Sequence, residues 1–202
     1  MALNRQSNSE LLFYKNAWWA AAASARQATL AERGRIHFQI TALLAAACAV
    51  EGFANYLISI VSPEVWVQER KFFAGNVPFI GTKGKLHWIA LQCGLDAPDI
   101  RGYESVAQLL ALRDYLAHRR PIPFAFWRDD RILPEPSQRP NDQRDLQARI
   151  QAVISKQALL EIEAFAEALV AGLNRLALPT GRRLWLLRLQ LEPFGERQQS
   201  WS

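Results

Sequence analysis

An all-α, up-and-down helical bundle is the fold the sequence predicts, and three observations predict it. Alanine, the best helix former, makes up about 15% of the 202 residues. Ile36, Ile40, Leu43, Ala47, Val50, Ala54, Leu57 and Val61 recur at alternating steps of four and three, which draws one continuous apolar stripe along a helix. Half the chain is hydrophobic and 21% is charged, an ordinary globular balance that excludes wholesale disorder. The predicted layout is a bundle over residues 1–178 and a C-terminal tail over 179–202.

Taken in order, the first helix is expected over residues 9–30, with Asn8 or Ser9 as its N-cap and Gly34 closing the turn that follows. The striped helix is expected over residues 35–62, ended by the Ser62-Pro63 step because a residue before proline avoids the helical region. Together they read as an antiparallel hairpin at the core of the bundle. A short helix fits residues 63–73, and residues 76–84 read as loop. Leu86, Ile89, Ala90 and Cys93 share one face of a third helix over residues 85–94, with Gly94 just past its end. After a turn at 96–102, residues 103–118 form a helix with Val106, Leu109, Leu110, Leu112 and Leu116 inward. Residues 121–140 are irregular, with a β-hairpin around Asp129-Asp130 as one reading of FAFWRDDRIL. A last long helix is expected from an N-cap at Asn141 to Leu178, with Leu146, Ile150, Val153 or Ile154, Leu160, Phe165, Leu169 and Leu173 as its apolar face. In the tail, Trp185, Leu187, Leu189 and Leu191 alternate as a short strand would.

Composition narrows function. Lys plus Arg number 24 against 19 acidic residues, a net +5 that permits an anionic partner without demanding one. Cys48 and Cys93 lie among apolar neighbours without CxxC spacing, so they read as buried free thiols rather than a disulfide or zinc framework. The first residues carry no apolar signal-peptide core, and the greasiest run, 36–50, holds Gln39 and Thr41 and stops at Glu51, short of the ~18 to 20 residues of a membrane span. A cytoplasmic protein without a membrane partner is expected. No P-loop, dinucleotide glycine fingerprint, HExxH or GxSxG is present, and His37, His87 and His118 fall on different elements, so no metal or other cofactor is expected. His37 and His87 read as structural, and Trp18-Trp19 as helix-packing residues.

What remains is the end of the helix before Pro121: Arg113, Asp114 and His118. The helix dipole favours a protonated imidazole at His118, while Arg119 and Arg120 oppose it, which leaves a pKa suited to proton transfer. Asp114, one turn earlier, could orient the ring. A guanidinium can hold a phosphate by two hydrogen bonds. Arg plus His is the minimum set for cleaving RNA through its own 2′-hydroxyl, the imidazole moving the proton and the guanidinium steadying charge on phosphorus. The same residues also read as a solvated helix end matched to its dipole.

The segment LRDYLAHRRP resembles the signature of HEPN domains (higher eukaryotes and prokaryotes nucleotide-binding): Arg, a polar residue, then His with four to six residues between Arg and His. Arg113, Asp114 and His118 match at the four-residue spacing, with Asp where Asn is commonest. VEGFANYLI, residues 50–58, is similar to the Glu-containing helix that recurs in such bacterial proteins, and the order of helices suits the family's bundle. The resemblance implies a metal-independent endoribonuclease of toxin–antitoxin, phage-defence or RNA-processing type. It implies a homodimer with Arg113 and His118 from both protomers facing one cleft, and an antitoxin or nucleotidyltransferase partner. A two-fold axis would supply a second imidazole, since one His cannot easily serve as base and acid together. Glu51 and Asn55, one turn apart on an apolar helix, read either as support for Arg113 or as a polar cross-link between helices. Arg119, Arg120, Arg128 and Arg131, interleaved with Phe124, Phe126 and Trp127, suit single-stranded RNA, although Asp129 and Asp130 dilute their charge. The alternatives to an enzyme are a non-catalytic helical module that binds RNA, a nucleotide or a protein, and a purely structural dimerisation or immunity protein.

Overall fold

The computed structural model describes residues 3–75, 78–118 and 139–176; for residues 3–12, 118 and 139–144 the description is of the backbone. Every regular element among them is helical. Helices α1 (Leu3–Leu30) and α2 (Arg35–Val61) form the expected antiparallel hairpin. Gly34 makes the turn at φ 71, a left-handed conformation that costs glycine little. The stripe faces inward as its spacing requires: Leu43, Ala47, Val50, Ala54 and Leu57 are buried, and Ile36, Ile40 and Val61 at the ends are half-buried. α2 is the hub, packing against α1 and four later helices. α1 begins at Leu3, so Asn8 and Ser9 lie inside the helix instead of capping it. A cap residue eases a helix start, but Leu3 to Asn8 contain no Gly or Pro to force one. By length and composition α2 could cross a membrane, contrary to the reading of its apolar run as too short; half of that apolar stretch is buried against other helices.

Ser62 ends α2, and its backbone N–H donates to the Ile58 carbonyl. Pro63 opens α3 (Pro63–Val67) at the first helical position, where its missing N–H is no loss. The single short helix expected here is two, with α4 (Glu69–Gly75) following a break at Gln68. α5 (Gly81–Gln92) begins four residues before the expected Lys85. Gly84 marks a close crossing rather than a loop: a Cβ there would lie 2.2 Å from the Phe79 backbone. Leu86, Ile89 and Ala90 are buried as predicted, and Gly94 takes φ 68 beyond the helix end. A 3-10 turn at Ala97–Asp99 leads to α6 (Tyr103–His118), whose limits match the sequence reading; Val106, Leu109, Leu110 and Leu112 are buried and Leu116 is half-buried.

The predicted last helix is two helices, α7 (Arg139–Val153) and α8 (Lys156–Arg175). α7 starts before Asn141, with Pro140 tolerated in its first turn. Ser155 makes the division: its backbone is extended, and its hydroxyl accepts a hydrogen bond from the Ala158 N–H at 3.2 Å. The break shifts the apolar phase, so Leu159 and Ile162 enter the core while Leu160, predicted inward, is 39% exposed. Ser155→Ala is expected to destabilise the fold by about 1 kcal/mol, measured by urea unfolding. The proposed hairpin, the strand in the tail and Leu178 lie outside the described residues.

The core also corrects three assignments. Trp18 is 1% exposed and its indole donates to Glu163 at 3.0 Å, but Trp19 is 59% exposed. Cys48 is exposed on the outer side of α2 and Cys93 is half-buried; both are free thiols. At the α6–α8 seam, Gly102 sits at φ 88 with Glu161's backbone oxygen where a Cβ would be, 1.9 Å away. Three residues on, the Ser105 hydroxyl donates to Glu161 Oε2 at 2.6 Å, and with the Gln157 amide it holds that carboxyl below its ordinary range.

Candidate functional site

Arg113 lies at the border of α6's buried face. Leu112 beside it is buried and Leu116 is half-buried, so the guanidinium emerges where α6 packs on α2. Glu51 occupies the matching border of α2, next to buried Val50. The two meet: Arg113 Nη2 is 3.7 Å from Glu51 Oε2, an ion pair longer than a hydrogen bond. Arg113 Nε lies 3.2 Å from Asp114 Oδ1, a second ion pair. The Arg113 side chain is 27% exposed, so it is braced on two sides and still open to a ligand. Ion pairs this exposed contribute at most about 1 kcal/mol each; their effect is to hold an orientation.

Asp114 pairs with Arg113, and the expected contact between Asp114 and His118 falls on a ring outside the described side chains. His118 ends α6, and its ring lies outside the described side chains, as do Arg119, Arg120, Arg128 and Arg131. Both readings of the α2 pair apply, one to each residue. Glu51 supports Arg113, whereas Asn55 makes the inter-helix cross-link: its Oδ1 accepts from Lys85 Nζ at 2.7 Å. Lys85 is 5% exposed, pairs with Glu69 of α4 and approaches the Phe73 ring at 5.9 Å. This buried ammonium was not assigned from sequence. The available signal was its position four residues before Ile89, one turn back on the same inward face. Gln39 is a second such residue, a polar side chain on α2 that is 1% exposed.

Of the other histidines, His37 is exposed. His87 shares a 2.7 Å hydrogen bond with the Tyr103 hydroxyl between α5 and α6. Burial and then the nearby Lys83 charge hold its pKa below the ordinary value, against the pull of Asp96. That environment fits the structural role expected of it. Among the described residues, no group of three or more His, Cys, Asp or Glu is placed to hold a metal ion. No family model, curated protein or solved structure matches this chain.

Proposed function

We propose that this protein is a metal-independent endoribonuclease of HEPN type, cytoplasmic and acting as a homodimer. The observation that carries the reading is the braced but accessible Arg113 guanidinium, gripped by Glu51 and Asp114 five residues before the histidine that ends α6. In the proposed reaction an RNA 2′-oxygen bonds to the adjacent phosphorus as the bond to the 5′-oxygen breaks. One His118 takes the 2′-hydroxyl proton and the His118 of a second copy protonates the leaving 5′-oxygen, while Arg113 steadies the extra charge on the phosphoryl oxygens. The products are a 2′,3′-cyclic phosphate and a 5′-hydroxyl. Asp114 and Glu51 act as support for Arg113, Asn55 braces the helices through Lys85, and Arg119, Arg120, Arg128 and Arg131 act as contacts to the RNA backbone. A toxin–antitoxin or phage-defence setting, with an antitoxin or nucleotidyltransferase as partner, suits such an activity.

Incubating the purified protein with end-labelled single-stranded RNA in EDTA tests this, and new 5′-hydroxyl ends are expected. One observation favours a second reading, a non-catalytic module: two carboxylates already offset the Arg113 charge, so a phosphate must compete with them. Binding of RNA with no new ends would establish that module instead.

A further inference from the structure

We propose that Arg149 holds a second backbone phosphate of the RNA, so that the substrate is a single strand that continues past the linkage being cut; the identity of the strand rests on the endoribonuclease reading. Arg149 is exposed on α7, and its guanidinium lies over the Tyr115 ring of α6, 5.7 Å from the centroid. That is within the range of a cation–π contact. Among the described residues no carboxylate lies within ion-pair distance of Arg149. Asp145, one turn earlier on α7 and exposed, does not pair with it.

The contrast with Arg113 is one of charge. Arg113 stands between Glu51 and Asp114, which offset it. Arg149 is steadied by an aromatic ring instead, and a ring attracts a guanidinium without neutralising it. A guanidinium recognises phosphate through its N–H edge, with two parallel hydrogen bonds. Arg149 thus offers a phosphate a full charge on a side chain that already has an anchor.

Its place suits a strand that crosses the motif. Arg113 and Tyr115 are two residues apart, so they leave α6 on opposite flanks, Arg113 toward α2 and Tyr115 toward α7. Helix positions 111, 114 and 118 fall on the arc between them, and Ala111 and Asp114 are exposed there. Position 118 follows Tyr115 by three residues, which makes the two neighbours on the helix surface. The guanidiniums are therefore separated by about the width of a helix, roughly 10 to 12 Å. An extended strand covers that within a few nucleotides. Laid over the open side of α6, it meets one arginine at each flank, the arrangement of a backbone-tracking groove.

The test measures binding by fluorescence anisotropy on 2′-O-methyl oligouridines, which the proposed route cannot cut, across a range of salt and with one linkage at a time made a neutral methylphosphonate. Cleavage is mapped on the matching RNA. Neutralising one linkage beside the scissile one should weaken wild-type binding about 10-fold. Arg149→Ala should weaken binding of the unmodified strand by a similar factor, lower the slope of log affinity against log salt by about 0.7, and remove the sensitivity to that linkage. Arg149→Lys should keep the slope. Circular dichroism checks folding, and Arg149→Gln replaces the alanine variant if the latter does not fold. An arginine that only packed α7 on α6 would change neither the slope nor the response to a single linkage. An unchanged slope in the folded variant, or a linkage sensitivity that survives it, overturns the assignment, as does a wild type indifferent to every neutral linkage but the scissile one. Loss of slope without any RNA cleavage overturns the enzymatic reading and keeps the phosphate contact, while failure of the wild type to bind any strand overturns both.

Discussion

Arg113→Ala is expected to lower RNA cleavage in EDTA by at least about 100-fold, the loss that follows removal of a group aimed at charge developing in a transition state. Far-UV circular dichroism should not change, because the Glu51 and Asp114 pairs that the substitution removes are partly exposed and contribute little to stability. Arg113→Lys should also be impaired, since an ammonium cannot grip two phosphoryl oxygens with a planar fork. His118→Ala is expected to match Arg113→Ala. The double variant should be hardly worse than either, as is usual for groups that act as a unit. Undiminished cleavage by either single variant removes the catalytic assignment.

Gly102→Ala is expected to be the most damaging single substitution for folding. The added Cβ would stand 1.9 Å from the Glu161 carbonyl oxygen and 3.2 Å from Phe165 Cβ. That oxygen belongs to the interior of α8 and cannot swing aside as a side chain could. The residue would also have to hold φ 88, strained for anything but glycine. Either α6 lifts off α8 or the core around Phe165 deforms. Urea unfolding should register a loss of more than about 3 kcal/mol. Gly94→Ala separates the two causes, because Gly94 has a similar φ and open space around it, and should cost only about 1 kcal/mol. Equal, small losses in the two variants would show that the α6–α8 crossing yields easily.

Parts of this architecture are legible in the residues. The four-three stripe fixes α2 and its buried side, and the glycine and proline that flank α6 mark its two ends. The α7–α8 division is not legible, because an amphipathic period tolerates a slip in phase. Leu159 and Leu160 are equally apolar, and only the backbone at Ser155 decides which of them enters the core. Gly84 misleads in the other direction, a breaker by propensity that sits in a helix because Phe79's backbone needs its space. In the site, the Glu51–Arg113 contact could be anticipated from two charges at the edges of apolar faces. Asn55 could not be assigned, since its partner depends on where α5 lies. The exposure of Cys48 is not legible, because apolar neighbours in sequence do not say which side of a helix a residue occupies.

The two thiols differ in a useful way. Cys93 is half-buried against α8, its Sγ pointing to the Leu169 carbonyl at 3.6 Å, and burial pushes its pKa up to about 11, beyond the effect of Arg175. Thiolate is the form that alkylates, so Cys93 is nearly inert at neutral pH. Cys48 lies in the open one turn before Glu51. A maleimide fluorophore will therefore attach at one place in the unmodified protein, beside the carboxylate that steadies Arg113. The native chain thus carries its own handle for watching RNA, or a second copy, arrive at that ridge.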